Sequence, residues 1–121
     1  MLCSGKVAYD AMAFRDRLSE AGSPSRVAIV RVEQLYPWPQ DLIERVLDRY
    51  PSATQVVWLQ DEPVNMGAWP WVRPRLEETV VRGGRRLFVI GRPESASPAS
   101  GSAALHRLES LDLLTRTFAP L

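Results

Sequence analysis

The segment 61–69 gathers two adjacent carboxylates, an amide and an indole, residue types that could support binding or catalysis. Asp61 and Glu62 come directly after a short apolar run, and Asn65 and Trp69 follow closely. A carboxylate pair works as general acid and base only when its pKa values are perturbed and a nucleophile lies within reach. No histidine is near in the sequence, so we expect these residues to shape a loop or an interface by hydrogen bonding.

A second polar segment, 91–101, follows the next apolar run and combines Arg92 with Ser95 and Ser97. Backbone amides at a helix start, hydroxyl groups and a guanidinium could together hold an anion. The simpler interpretation is a rigid, proline-braced surface loop that packs on another domain. We call 61–69 the first edge segment and 91–101 the second edge segment, because ligands and partners of α/β folds dock where strands end. The interface or ligand-loop candidates are Glu62, Asn65, Trp69, Arg92, Ser95 and Ser97.

Four tryptophans lie within a short stretch of the chain, at positions 38, 58, 69 and 71. Tryptophan is enriched at protein interfaces, where it offers a large contact area and a hydrogen-bond donor. One or two of the four must lie in the core of so small a domain. We expect Trp69 or Trp71 at an interface.

The sequence does not indicate a catalytic centre based on histidine, cysteine or a phosphate loop. His106 is the only histidine and Cys3 the only cysteine, so the sequence indicates neither a Cys/His metal cluster nor a nucleophile–histidine pair. Cys3 lies in an apolar strand end, which favours a small buried side chain over a reactive thiol. The turn 4–6 precedes a helix, but the glycine spacings of phosphate and dinucleotide loops are missing. We therefore name no catalytic, cofactor-binding or metal-binding residue.

The composition is that of an ordinary globular domain, with 121 residues of which 45% are hydrophobic and 24% charged. The formal net charge of +1 argues against nucleic acid as a main partner. No apolar stretch approaches the ~20 residues that cross a bilayer, and the first residues have no features of a secretory leader. A single cysteine fits a reducing compartment. We expect one domain over residues 1–121, with no nucleic-acid or membrane partner.

The apolar pattern predicts four strand–helix units that position the two edge segments. Strands are expected at 2–3, 26–32, 55–60 and 87–90, the second of them buried in a parallel sheet. Such alternation predicts a mainly parallel sheet with helices on both faces, and both edge segments side by side at its carboxyl edge. The predicted buried stripes are Val7, Ala11, Phe14 and Leu18; Leu42, Ile43, Val46, Leu47 and Tyr50; Trp69, Val72, Leu76 and Val80; and Ala104, Leu108, Leu111, Thr115 and Phe118.

Several linked motifs run in order through nearly the whole chain. They are Leu2–Lys6, Val27–Pro37, Glu62–Pro63 with Asn65, Gly67–Trp69, Gly91–Pro93 and Ser95–Ala99. In this combination the chain resembles the C-terminal domain of 2-oxoglutarate dehydrogenases, the thiamine-diphosphate-dependent decarboxylating components of multienzyme complexes. The resemblance implies a transketolase-like C-terminal domain, a three-layer α/β/α sandwich with a mostly parallel sheet of about five strands.

The resemblance also implies a part of a larger enzyme of the tricarboxylic acid cycle, which oxidatively decarboxylates 2-oxoglutarate and passes the succinyl group to a lipoyl acyltransferase. In such enzymes thiamine diphosphate and Mg²⁺ lie between two preceding domains, across a dimer interface. The cofactor motif Gly-Asp-Gly followed by Asn-Asn does not occur in this sequence, and His106 does not match the active-site histidines of the family. No catalytic residue therefore carries over, and thiamine diphosphate and Mg²⁺ are expected in the parent enzyme only.

The resemblance thus favours an assembly domain that is inactive alone. Its expected partners are the remaining domains and second subunit of the parent and the lipoyl acyltransferase core. The alternative is a regulatory module that binds a nucleotide or an acyl-CoA. Met1 stands where a continuous strand is expected, which favours a chain cut at a domain boundary over a naturally short protein. The expected compartment is the cytoplasm in a bacterium, or the mitochondrial matrix in a eukaryote.

Overall fold

A computed structural model describes residues 1–119, in which strands and helices alternate as the apolar pattern predicts. The elements are β1 (Leu2–Cys3), α1 (Val7–Glu20), β2 (Val30–Arg31), α2 (Gln40–Asp48), β3 (Gln55–Pro63), α3 (Trp69–Arg82), β4 (Arg86–Arg92) and α4 (Ala103–Phe118). All strand pairs are parallel, in the order β2-β1-β3-β4. The predicted α/β fold class is confirmed. The count of about five strands is wrong for residues 1–119, which form four.

Helices cover the sheet on both faces, with an apolar core on each side. On one face Trp58 packs with side chains of α2 and α3. On the other face Leu59 packs with side chains of α1 and α4. Neighbouring residues of a strand point to opposite faces, so these two fully buried side chains anchor separate cores. This is the three-layer arrangement that the resemblance implies.

The predicted stripe of α4 is wrong at four of its five positions, since only Phe118 packs against the core, whereas Ala104, Leu108, Leu111 and Thr115 are exposed. The buried side chains of this helix are Leu113, Leu114 and Thr117, whereas Leu108 and Leu111 are 67% and 52% exposed. Apolar residues occur on several sides of α4, so helical spacing alone does not select one face. Packing against α1 and the sheet selects it instead.

The stripe of α3 is confirmed, because Val72, Leu76 and Val80 are fully buried and Trp69 packs partly buried against the same core. In α2 only Ile43 and Leu47 are buried. The prediction that Leu42 and Tyr50 share their buried face is wrong, since these two are 57% and 38% exposed. In α1 the buried residues are Val7, Ala8 and Ala11.

The second strand is shorter and more exposed than predicted. A buried strand over 26–32 is expected from the apolar run, but β2 comprises only Val30–Arg31 and lies at the edge of the sheet. Its neighbour β1 has two residues, which pair Leu2 with Val30 and Cys3 with Arg31. A strand extends only as far as a neighbouring backbone is present to pair with it.

The third and fourth strands are longer than predicted. They end at Pro63 and Arg92, not at Gln60 and Ile90, so both edge segments begin inside the sheet. The pairing becomes irregular after Leu59 and resumes between Pro63 and Arg92. Backbone pairing between the two strands thus continues through polar residues. Within residues 1–119, no helix combines the length and apolarity that a membrane span requires.

Candidate functional site

The two edge segments meet at the carboxyl edge of the sheet, as predicted. The side-chain amide nitrogen of Asn65 donates to the Ser95 carbonyl oxygen at 3.0 Å, and the Ser95 backbone nitrogen donates to Asn65 Oδ1 at 3.1 Å. The backbone nitrogen of Val64 also donates to the Arg92 carbonyl oxygen at 3.0 Å. Residues from two separate strand–helix units therefore form one continuous surface.

Arg92 connects three parts of this edge from the inside. Its Nε donates to the Asp61 carbonyl oxygen at 2.6 Å and its Nη2 donates to the carbonyl oxygen of Pro98. Its Nη1 lies 3.7 Å from Oε2 of Glu109 on α4, an ion pair longer than a hydrogen bond. Only 11% of the Arg92 side chain is exposed. All three guanidinium nitrogens thus face acceptors within the chain, so in this structure Arg92 braces the second edge segment.

Gln60 organises the first edge segment, and sequence reasoning missed it. Its Oε1 accepts hydrogen bonds from Trp58 Nε1 at 3.1 Å and from the Trp69 backbone nitrogen at 2.9 Å. Its Nε2 donates to the carbonyl oxygens of Pro63 at 2.9 Å and Met66 at 2.8 Å. The side chain is buried and ties strand β3 to the start of α3. The sequence feature that indicates Gln60 is a single amide side chain directly after the apolar run 56–59.

An open groove of about 700 Å³ runs along this edge, and we call it the edge groove. Its lining residues are Ser4, Gly5, Leu35, Tyr36, Trp58, Leu59, Gln60, Glu62, Gly67, Ala68 and Trp71. Tyr36 is 80% exposed and Trp71 40% exposed, with ring centroids 6.2 Å apart. Trp71 Nε1 donates to the Leu35 carbonyl oxygen at 3.1 Å, which fixes the indole against the loop before α2.

Among residues 1–119, Glu62 is the only formally charged one that lines the edge groove. Its side chain is exposed and lies over Gly67, whose φ is +66°. A Cβ at Gly67 would stand 3.0 Å from both Cβ and Oε2 of Glu62, so the missing side chain makes room for the carboxylate. Within residues 1–119, no cation lies within ion-pair distance of Glu62.

Asp61 is a partly buried carboxylate close to other acidic groups. Its pKa is raised, chiefly by partial burial and then by the nearby carboxylates of Asp10 and Glu62, while Lys6 and His106 act in the opposite direction. Lys6 donates to Asp10 at 2.6 Å. Asp61 therefore keeps its proton to a higher pH than an exposed aspartate does, and the contacts above place no reacting group beside it.

Cys3 and His106 occupy opposite environments, one in the core and the other at the surface. Cys3 is fully buried, and burial raises the pKa of its thiol to about 11, as suits a packed side chain. His106 is exposed on α4. In the described part of the chain, no three His, Cys, Asp or Glu side chains are grouped to hold a metal ion.

The other candidate residues occupy different environments. Trp69 is half-buried against the core that contains Trp58, whereas Trp71 is the more exposed of the two adjacent indoles. Ser97 fixes a turn, since its backbone nitrogen donates to Ser95 Oγ at 3.1 Å and its own Oγ donates to the Ala99 carbonyl oxygen at 2.9 Å. The structure therefore brings all six candidates to one edge of the sheet. Some of them hold the loops in place by hydrogen bonds, and others are exposed to solvent.

Comparison with known proteins identifies relatives along the full length of the chain. The sequence model of the family described as "2-oxoglutarate dehydrogenase C-terminal" matches residues 1–118. The "2-oxoglutarate dehydrogenase E1 component" of Cupriavidus necator is 44% identical over 121 residues, which are 100% of this chain and 12% of that protein. The mitochondrial 2-oxoglutarate dehydrogenase of Caenorhabditis elegans is 39% identical over 118 residues, 98% of this chain and 11% of that protein.

A relative with a different named substrate is nearly as similar. The "2-oxoadipate dehydrogenase complex component E1" of Xenopus laevis is 38% identical over 119 residues, 98% of this chain and 12% of that protein. The chain thus spans only about an eighth of the length of each of these relatives.

Proposed function

The chain belongs to the 2-oxoglutarate dehydrogenase C-terminal family, and on this basis we propose that it is the assembly domain of such an enzyme. The observation that carries the proposal is the match of residues 1–118 to this family, in a chain that corresponds to 12% of a relative named as the E1 component. The parent enzyme oxidatively decarboxylates 2-oxoglutarate and passes the succinyl group to a lipoyl acyltransferase. This domain, residues 1–121, contributes contacts and not catalytic groups.

The carboxyl edge of the sheet is the surface that the proposal assigns to assembly. Glu62 and Trp71 are exposed there, on segments that Gln60 and Arg92 hold in place by hydrogen bonds. A rigid surface with an exposed indole is typical of interface hot spots, because little conformational entropy is lost on binding. Its partners are the remaining domains and second subunit of the parent, and the lipoyl acyltransferase core.

Thiamine diphosphate and Mg²⁺ belong to other domains of the parent in this proposal. Thiamine diphosphate supplies the carbanion chemistry by which a 2-oxo acid is decarboxylated. The residues of this chain do not fit that group: the motif Gly-Asp-Gly with Asn-Asn is missing, and the one asparagine, Asn65, is bonded to Ser95. The compartment we propose is the cytoplasm of a bacterium or the mitochondrial matrix of a eukaryote, in keeping with the relatives of Cupriavidus necator and Caenorhabditis elegans.

The alternative function, a regulatory module for a nucleotide or an acyl-CoA, depends on Arg92 and the serines of the second edge segment. The Arg92 nitrogens face the carbonyl oxygens of Asp61 and Pro98 and the carboxylate of Glu109. Binding an anion there would require breaking these contacts. We therefore favour assembly over regulation.

A chimeric enzyme tests the proposal. The matching 12% of the Cupriavidus necator E1 component is replaced by this chain, and dimer formation and CO₂ release from 2-oxoglutarate are measured. We expect the chimera to form a dimer and release CO₂, whereas the same enzyme truncated before the domain does neither. A folded chimera that stays monomeric and inactive, beside an active unmodified enzyme, would refute the proposal.

A further inference from the structure

We propose that the edge groove docks an extended peptide segment of a partner protein, whose arginine or lysine side chain lies along Tyr36 and Trp71 and ends at Glu62. This inference deepens the proposed function and rests on it in one respect, the assignment of this edge to assembly. It adds the chemistry of the partner, which is a basic side chain flanked by apolar ones.

The aromatic side chains of the edge groove are available to a partner. Tyr36 is 80% exposed and Trp71 40% exposed, and their rings are tilted by 58° with centroids 6.2 Å apart. Leu35 and Ala68 add apolar surface beside them. An open groove with aromatic walls suits an extended chain, as in the aromatic-lined grooves that bind extended peptides in other proteins.

Trp71 already binds a guanidinium within the chain. Arg75 Cζ lies 3.3 Å from the centroid of the indole, and Arg75 Nη1 donates to the Trp71 carbonyl oxygen at 2.7 Å. Arg75 does not line the edge groove, so it covers the ring from outside the groove. A second cation that enters the edge groove would contact the ring of Tyr36 as well as that of Trp71, and aromatic faces attract cations.

The charge of the edge groove selects a basic partner. Within residues 1–119, Glu62 is the one formally charged residue of the groove lining, and its carboxylate has no ion-pair partner there. The Glu62 side chain lies next to Gly67 at the groove wall, in space that a larger residue at position 67 would occupy. The Glu62 carboxylate would repel an acidic segment. A basic side chain that lies across the rings of Tyr36 and Trp71 instead forms an ion pair with Glu62.

Selection from a library of random twelve-residue peptides tests the proposal without assuming a sequence. The 121-residue chain is immobilised, enriched peptides are synthesised, and their binding is titrated by fluorescence anisotropy. We expect enriched peptides to share a basic residue between apolar ones. Tyr36→Ala and Glu62→Gln should each weaken their binding by roughly fivefold or more. Both side chains are exposed, and a circular dichroism melt verifies that each variant folds.

Matched variants on other surfaces provide the controls. Tyr9→Ala removes a tyrosine that is 57% exposed and stacked with Arg31, and Glu20→Gln removes an exposed carboxylate at the far end of α1. Both should bind the peptides as the unchanged chain does. Failure of enrichment above a blank support, enrichment of acidic peptides, or unchanged binding by Tyr36→Ala and Glu62→Gln would overturn the proposal.

A second copy of the chain is the competing occupant. Light scattering over a concentration series would then show a dimer that Glu62→Gln disperses, and this result also overturns the peptide proposal. Failure here is distinguishable from failure of the assembly function, because the chimeric enzyme reports dimer formation and CO₂ release independently of peptide binding.

Discussion

Asn65 and Ser95 are joined by two reciprocal hydrogen bonds, although 30 positions separate them in sequence. One residue follows β3 and the other follows β4. The pair converts two loops into one surface beside Glu62. The rigidity of this edge therefore depends on contacts between strand–helix units, and each contact can be tested singly.

Loss of the Asn65 side chain should loosen the second edge segment without unfolding the domain. Asn65→Ala removes both hydrogen bonds to Ser95, and we expect the free energy of unfolding to fall by about 1 kcal/mol, because the pair is exposed to water. Hydrogen exchange of the Ser95 amide should accelerate. Asn65→Asp keeps an acceptor for that amide and should have a smaller effect. Unchanged exchange in Asn65→Ala would show that the pair does not hold the loops together.

Loss of the Gln60 side chain should lower the free energy of unfolding substantially, because this one side chain bonds to several parts of the first edge segment. Gln60→Ala leaves the buried Trp58 indole nitrogen and Pro63 carbonyl without this partner, and also the partly buried Trp69 amide and Met66 carbonyl. Each unsatisfied buried group costs about 1–3 kcal/mol, so we expect a loss of about 3 kcal/mol in urea unfolding.

Gln34→Ala is the control for Gln60→Ala. Gln34 is exposed and donates only to the Pro37 carbonyl oxygen, so its loss should change the free energy of unfolding by no more than about 0.5 kcal/mol. Equal effects of the two variants would mean that the Gln60 contacts contribute little.

The element order and the position of the edge segments follow from sequence, because short β-branched runs alternate with helical periodicity. The stripe of α3 is predictable for the same reason, since Val72, Leu76 and Val80 are spaced for one face. The face of α4 is not, because Leu108 and Leu113 are equally apolar and only tertiary packing distinguishes them.

The strand ends and the bracing contacts are the least predictable parts of the site. Asp61 and Arg92 have poor strand signals, yet pairing between β3 and β4 extends to Pro63 and Arg92. The Gln60 side chain has five hydrogen-bond partners within residues 1–119, and most of them come close to it only after the chain folds. Spacing along the sequence carries no information about such convergent bonds.

Arg92 should stabilise the domain from inside. Arg92→Ala removes the bonds to Asp61 and Pro98 and leaves the Glu109 carboxylate without its cation, and we expect a loss of about 2 kcal/mol. Arg107→Ala, an exposed arginine of the same helix as Glu109, is the control and should have almost no effect. Unchanged domain stability in Arg92→Ala, together with a weakened dimer of the chimeric enzyme, would instead make Arg92 an interface anchor.

Stability should fall as pH rises through the titration of Asp61. Burial, with the Asp10 and Glu62 carboxylates, raises its pKa above the usual value of 3.8, whereas Lys6 and His106 lower it. The folded state then binds the Asp61 proton more tightly than the unfolded state, so this group favours folding only while it is protonated. The loss of stability caused by ionising Asp61 therefore grows as the pH rises from the usual pKa to the raised pKa.

The corresponding measurement compares Asp61→Asn with the unchanged chain in urea unfolding at several pH values. The stability of the variant relative to the unchanged chain should increase as the pH rises above the usual aspartate pKa of 3.8, because the amide never ionises. Asp41→Asn, at an exposed position on α2, is the control for loss of a carboxylate. A relative stability of Asp61→Asn that decreases over this range would reverse the sign that we derive.

The isolated chain should neither decarboxylate 2-oxoglutarate nor bind thiamine diphosphate. The cofactor motif is missing from its sequence, and His106, the one histidine, stands exposed on α4. Calorimetric titration with thiamine diphosphate and Mg²⁺ should give only the heat of dilution, and titrations with AMP and acetyl-CoA should do the same if assembly is the function. CO₂ release above that of a heat-killed sample would contradict the first expectation. Saturable heat from AMP or acetyl-CoA that Arg92→Ala abolishes would instead support the regulatory alternative, since that function needs the guanidinium to leave Asp61 and Pro98 for an anion.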